Sequence, residues 1–166
     1  MPTLFIFAGL PGTGKTTLSR DLARRLKAVH LRIDTIEQGL RDLCGVQVVG
    51  EGYRLTYRIA ADNLRNGLDV VADSCNPLEL TRREWEQVAK ESGANFVNIE
   101  VICSNHVEHR RRIDTRSTDI SGLKLPTWRD VENREYHAWS VDRIIIDTAD
   151  CPIEDSIRQL AVALGV

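Results

Sequence analysis

Gly9-Leu10-Pro11-Gly12-Thr13-Gly14-Lys15-Thr16 satisfies G-x-x-x-x-G-K-[ST] at every position. At ordinary residue frequencies, a chain of this length matches that pattern by chance about 1% of the time. The flanks agree with it. Thr3 to Ala8 is a continuous apolar run, as expected of a strand buried on both faces. Leu18, Leu22 and Leu26 then recur at i, i+4 and i+8, so a helix from Thr16 to Leu26 begins inside the motif. Glycines let such a loop wrap with its N–H groups pointing inward at the positive end of the helix dipole, which cradles phosphate. Lys15, expected on an exposed loop, then reaches the β- and γ-phosphates of a nucleotide, and the Thr16 hydroxyl ligates Mg²⁺. Gly9, Gly12, Thr13, Gly14 and Thr17 complete the expected nucleotide cradle.

Beyond the motif, strand and helix patterns alternate. Short apolar runs at Ala28–Ile33, Leu68–Ala72, Phe96–Cys103 and Arg143–Ile146 read as further strands. Helical patterns cover Asp34–Leu43, Tyr53–Leu64, Pro77 to Gly93, His106–Arg116, Trp128–Trp139 and Ile153–Leu164. Gly45–Gly52 reads as a loop, or as a loop holding an extended piece at Val46–Val49, and Ser117–Pro126 as a polar, mobile segment. Five buried strands separated by helices imply one α/β domain over residues 1–166, with a parallel sheet covered on both faces.

The 166 residues are 42% hydrophobic and 28% charged, ordinary globular figures that exclude disorder, collagen-like repeats and disulfide scaffolds. A net charge of -2 provides no global field for coating nucleic acid. The four cysteines are scattered without a C-x-x-C pair, and no basic region precedes the first apolar run, so a soluble, cytoplasmic protein is expected. The sequence sets no oligomeric state.

A nucleotide site does not say what becomes of the phosphate. No base-reading N-K-x-D occurs. The strand Leu68–Ala72 ends in Asp73, followed by Ser74 rather than a water-polarising Glu. Asp73 is thus either a magnesium-holding carboxylate or a turn residue, and the lack of a neighbouring Glu favours transfer over hydrolysis. Asp34, at the end of the second strand, lies where α/β sheets bind ligands. It either activates an acceptor hydroxyl or caps the helix it begins. Arg112 and Arg116 are i, i+4 on a basic helix, with His109 on the same side. They either close a lid over the phosphates, with the lid spanning about residues 105–130, or face solvent. Arg41, Arg58 and Asn76 are weaker candidates for acceptor contacts; Arg54, Arg58 and Arg65 equally suit a solvated helix face.

Taken in order, these pieces resemble the P-loop small-molecule kinases, especially the branch of chloramphenicol phosphotransferase, zeta toxins and polynucleotide 5′-kinase domains. The resemblance runs from Gly9–Thr16 through Arg32-Ile33-Asp34-Thr35, Val71–Asn76 and Arg112-x-x-x-Arg116 to Ile146-Asp147-Thr148-Ala149. It implies sheet order 2-3-1-4-5, ATP and Mg²⁺ as cofactors, Asp34 as the acceptor-activating carboxylate, and Arg112 and Arg116 clasping ATP. It also implies Thr148 and Ala149 beside the adenine. The expected activity is phosphotransfer from ATP to a hydroxyl of a small molecule. Two alternatives are a polynucleotide- or tRNA-directed 5′-kinase, disfavoured by the net charge, and a nucleotide-sensing module or zeta-like toxin component acting through a protein partner.

Overall fold

The computed structural model describes residues 1–166. In chain order the elements are β1 (Thr3–Ala8), α1 (Lys15–Leu26), β2 (Val29–Arg32), α2 (Ile33–Cys44), α3 (Glu51–Arg65) and β3 (Val70–Asp73). They continue with α4 (Glu79–Glu91), β4 (Asn95–Ile102), α5 (His106–Thr115), α6 (Trp128–Glu132), β5 (Ile144–Asp147) and α7 (Ile153–Leu164). The five strands are parallel, in the order β2-β3-β1-β4-β5.

Strand alternation explains the two cores. Successive side chains point to opposite faces, so Leu4 and Ile6 of β1 join Val70 and Ala72 of β3, Leu64 of α3 and Trp85 of α4 on one side. Phe5 and Phe7 join Val71 and Ile99, together with Leu18 and Leu22 of α1 and Leu160 of α7, on the other. Each large apolar side chain buried this way contributes about 1.5–3 kcal/mol; β1 and β3 are apolar on both faces and serve both layers, and β1 lies at the centre of the sheet. This central position places the turn after β1, the phosphate-cradle motif, in the middle of the sheet's C-terminal edge.

Two local expectations are revised and two open alternatives are decided. The helix expected to run to Trp139 stops at Glu132, because later backbone groups bond elsewhere. The His137 N–H donates to the Pro77 carbonyl at 2.8 Å, and the His137 and Ala138 carbonyls accept from the Arg82 guanidinium at 3.0 and 3.4 Å. That guanidinium lies over the rings of Tyr136 and Trp139, 4.9 and 4.1 Å from their centroids. Of the two readings for the loop after α2, the plain loop holds: Val46–Val49 has no ladder partners. Lys15 is buried rather than exposed, its Nζ donating to the Leu10 carbonyl at 2.9 Å. Finally, α2 begins at Ile33, one residue before the expected cap, so Asp34 falls in the first turn and makes no capping hydrogen bond.

Candidate active site

A cleft of about 780 Å³ opens at the C-terminal edge of the sheet. Only three of its 26 lining residues are hydrophobic, so its chemistry is that of a polar, charged occupant.

The floor is the turn between β1 and α1. Gly9 has φ +137°, and a Cβ there would collide with the Val101 carbonyl oxygen, so the turn closes against β4 only with glycine. Gly14, at φ +95°, sits at the N-cap position of α1 without a side-chain cap. That leaves the first N–H groups of α1 available to an anion. Thr16 and Thr17 open the helix and line the cleft beside Lys15. Thr13 is buried, its hydroxyl donating to the Leu10 carbonyl at 3.0 Å.

Beneath the loop, Asp73 ends β3 in register with Phe7 of β1 and Arg32 of β2. It is 3% exposed, yet its Oδ2 has no hydrogen-bond partner; the nearest cationic candidate, His30 Nε2, is 3.8 Å away and bonds instead to Ser19 Oγ at 3.0 Å. A buried carboxylate oxygen without a donor is costly unless water or a cation meets it. No cluster of three or more His, Cys, Asp or Glu is arranged to hold a metal unaided. One carboxylate, one hydroxyl at Thr16 and nucleotide phosphates suit Mg²⁺, which keeps several waters and takes few protein ligands.

Helix α5 closes one side. Asn105 caps it, its side-chain oxygen accepting from the Val107 and Glu108 N–H groups while its amide donates to Asp150. His109 is buried, and its Nε2 lies 2.7 Å from the Pro11 carbonyl, so it carries the proton and donates to the loop. Its ring meets Trp128 edge-on at 5.2 Å. Burial holds the His109 pKa below the ordinary 6.5, against the pull of the Pro11 carbonyl. Ile113, one turn on, packs over Gly12, where a Cβ would lie 2.6 Å from Ile113 Cδ1.

Arg112 stands on α5, whereas Arg116, expected on the same helix face, is the C-cap residue just past it with extended backbone, and the two have different partners. Arg112 donates to Thr148 Oγ1 and Thr148 O, both at 2.7 Å, and to Glu108 at 2.6 and 3.1 Å. Arg116 turns into the cleft with its Nε buried and unpartnered. Burial lowers the Arg116 pKa, and Asp34 is the strongest charge opposing that shift. Asp34, on the facing wall, is exposed to the cleft. Glu37, Gln38 and Arg41 continue that wall at i+3, i+4 and i+7. Half-buried Glu37 has its pKa raised by desolvation, with Arg41 at 3.2 Å opposing.

The cleft thus brings together Gly12, Gly14, Lys15, Thr16, Thr17 and Asp73 on its floor, with Asp34, Arg41, Arg112 and Arg116 on its walls. Gly9, Thr13, Thr148 and Ala149 form the layer behind. Buried Thr148 ties the Thr13 carbonyl to β4 through its hydroxyl, 2.8 Å from Thr13 O and 3.1 Å from Ile102 O. Ala149 donates its N–H to Asp147. Arg58 lies exposed on α3, outside the cleft, as do Arg54 and Arg65. Asn76 is fully buried with its amide on the Phe7 carbonyl at 3.1 Å, a strut between β3 and β1 rather than a cleft residue. Sequence reasoning missed Arg20, Arg32, Glu37, Gln38, Asp119, Lys124 and Arg134, all in the cleft lining. Helical spacing from Thr16 could have found Arg20, and spacing from Asp34 could have found Glu37 and Gln38; nothing local marks Lys124 or Arg134.

A family model described as an AAA domain matches residues 4–132. The chain belongs to that family. The domain is 27% identical over 163 residues to an L-seryl-tRNA(Sec) kinase of Methanococcus maripaludis; the match takes in 89% of this chain and 60% of that one. The chain therefore spans about three fifths of that relative's length. In structure it superposes on an APS kinase of Mycobacterium tuberculosis in complex with AMPPNP and APS, with TM-score 0.75 and 18% identity, covering 99% of this chain and 98% of the other. A gluconokinase of Sinorhizobium meliloti gives TM-score 0.68 at 15% identity, covering 99% and 92%. The domain has the P-loop kinase fold. None of its helices is long and apolar enough to cross a membrane.

Proposed function

We propose that this domain transfers the γ-phosphoryl group of ATP to a hydroxyl of a small molecule. The observation that carries this reading is Asp34. It is a carboxylate without a capping bond, on the wall facing the phosphate loop, beside the inward-turned Arg116. A nucleotide switch has no use for a free carboxylate there, whereas a kinase needs one to orient an alcohol and take its proton.

In this scheme the N–H groups at the start of α1 and Lys15 bind the phosphates, Lys15 exchanging its bond to Leu10 O for phosphate oxygens. Thr16 and Asp73 would hold Mg²⁺, which would neutralise charge on the phosphates when bound. Asp34 accepts the proton from the acceptor hydroxyl as its oxygen bonds to the γ-phosphorus. The bond from that phosphorus to the β-bridging oxygen breaks, and ADP leaves with the electron pair. Arg116 supplies positive charge beside the transferring group. Arg112, tied to Thr148, fixes α5 on the nucleotide side, with Thr148 and Ala149 close to the base.

A panel of hydroxyl compounds screened for acceptor-dependent ADP release, with mass detection of the phosphorylated product, tests this. ADP release indifferent to every acceptor would exclude it. Similarity to a tRNA-directed kinase supports a second reading, in which the hydroxyl belongs to a charged or terminal group of RNA. Binding to an oligonucleotide that weakens steeply with salt would favour it.

A further inference from the structure

Lys15 and Arg116 serve the phosphate side of the cleft and Arg112 is tied to Thr148 and Glu108, yet Arg20, Arg32, Arg41, Lys124 and Arg134 also line it. This cationic excess is local, since the chain as a whole carries net charge -2. Two of these arginines already hold an anion. Asp119, from the irregular segment after α5, places Oδ1 2.7 Å from Arg32 Nη1 and Oδ2 3.0 Å from Arg20 Nη2. Those two hydrogen bonds hold the Asp119 carboxyl down at about 2, so it stays ionised under ordinary conditions.

The two sides of this contact differ in permanence. Arg20 stands on α1 and Arg32 at the end of β2, both fixed by the sheet, and Arg32 is two residues from Asp34. The Arg32 Nε is buried with no partner, so the Asp119 carboxylate leaves part of the guanidinium fork unused. Asp119 itself is 58% exposed on a segment with no helix or strand. The cationic seat is built on a helix and a strand end, whereas its anion comes from an exposed segment held by neither helix nor strand.

We propose that the phosphate acceptor is a small anionic alcohol whose phosphate, sulfate or carboxylate group displaces Asp119 from the seat between Arg20 and Arg32, bringing its hydroxyl to Asp34. The proposal rests on the kinase reading above and adds to it the charge class of the acceptor and the residues that select it. Arginine suits the role because its planar fork meets tetrahedral and carboxylate anions with paired hydrogen bonds. The cleft's volume and the cover provided by residues 117–126 fit a small molecule better than a polymer. Asp119 then acts as an internal competitor: an alcohol without the anion leaves the segment seated, so the site discriminates against neutral acceptors.

The test is calorimetric titration with sodium sulfate at constant ionic strength, on protein saturated with AMPPNP and Mg²⁺ so that the phosphate loop is filled. Wild type, Asp119→Asn and Arg32→Gln are compared. Removing the competing charge in Asp119→Asn should tighten sulfate binding about tenfold, since the seat no longer has to be vacated. Arg32→Gln should weaken it about tenfold or more while AMPPNP affinity and melting temperature hold. Sulfate that binds none of the three, or all three alike, overturns the proposal. So does a single-stranded oligonucleotide that displaces bound sulfate, because the anion would then come from a polymer. Failure of AMPPNP to bind at all removes the kinase reading itself, which is distinguishable from nucleotide-bound protein that ignores sulfate.

Discussion

Asp34 and Asp73 are carboxylates at the ends of neighbouring strands with opposite surroundings. Asp73 is 3% exposed, fixed in register between β1 and β2, with one oxygen lacking a donor. Asp34 opens to the cleft and caps nothing. The first suits a cation, the second a proton in transit. Asp34→Asn keeps the size and the first-turn position, so melting temperature and ATP affinity should stay at wild-type values. Acceptor-dependent turnover should fall by about 10²–10⁴-fold, the usual loss on removing an acid–base group. Turnover unchanged with a genuine acceptor would retire Asp34 as the base and turn attention to Glu37, one turn further along the same wall.

Helix α5 shows why residues sharing a sequence motif need not share a role. Arg112 and Arg116 are i, i+4, but Arg112 is spent on Thr148 and Glu108 while Arg116 faces Asp34 across the cleft. Arg116→Ala should therefore lower kcat with little change in ATP affinity, because its charge matters most as charge moves in the transition state. Arg112→Ala should instead weaken ATP binding, since it loosens α5 from the β5 end. Steady-state kinetics with direct nucleotide binding separate the two; equal effects on both parameters in both variants would mean the arginines act as one unit. Elements with their own periodicity were legible: the leucines of α1 and the apolar run of β1; the i, i+4 pair of arginines was not, because α5 ends one residue before Arg116. What was illegible depended on distant partners. The segment after α6 reads as helix but is drawn away by Arg82, which is 2% exposed and also donates to the Asn76 carbonyl at 2.9 Å and the Pro77 carbonyl at 3.1 Å. Arg82→Ala would remove the guanidinium from the Asn76, His137 and Ala138 carbonyls, leaving Pro77 O only the His137 N–H, and would empty the gap between Tyr136 and Trp139. It should cost about 3 kcal/mol or more in chemical denaturation; a loss under about 1 kcal/mol would show that the segment holds without it.

At the scale of the molecule, the floor of the cleft is hung between a partly buried imidazole, His30, and a buried one, His109, and this makes stability pH-dependent in a definite direction. His30 bonds Ser19 behind the phosphate loop, and His109 bonds the Pro11 carbonyl within it. The sheet order that brings them there was legible from the resemblance, but neither contact was, because each links positions far apart in sequence. Burial lowers both pKa values below 6.5; Asp73 opposes this at His30, and Arg20 and Arg32 reinforce it. Between the folded pKa values and 6.5 the unfolded chain binds more protons than the native one, so unfolding free energy rises with pH across that window. The contribution is complete above about pH 7 and is lost as pH falls below about 6.5, the ordinary imidazole range. Melting temperature should hold from pH 8 to 7 and then decline toward pH 5. Gln at both positions keeps a side chain that can donate or accept but cannot titrate here, so the doubly substituted His30→Gln, His109→Gln protein should start less stable and show a flatter profile. Melting curves at half-unit pH steps decide it: a double variant that declines as steeply as wild type would assign the acid sensitivity to other groups, whereas a flattened profile ties it to the two imidazoles that hold the phosphate loop in place.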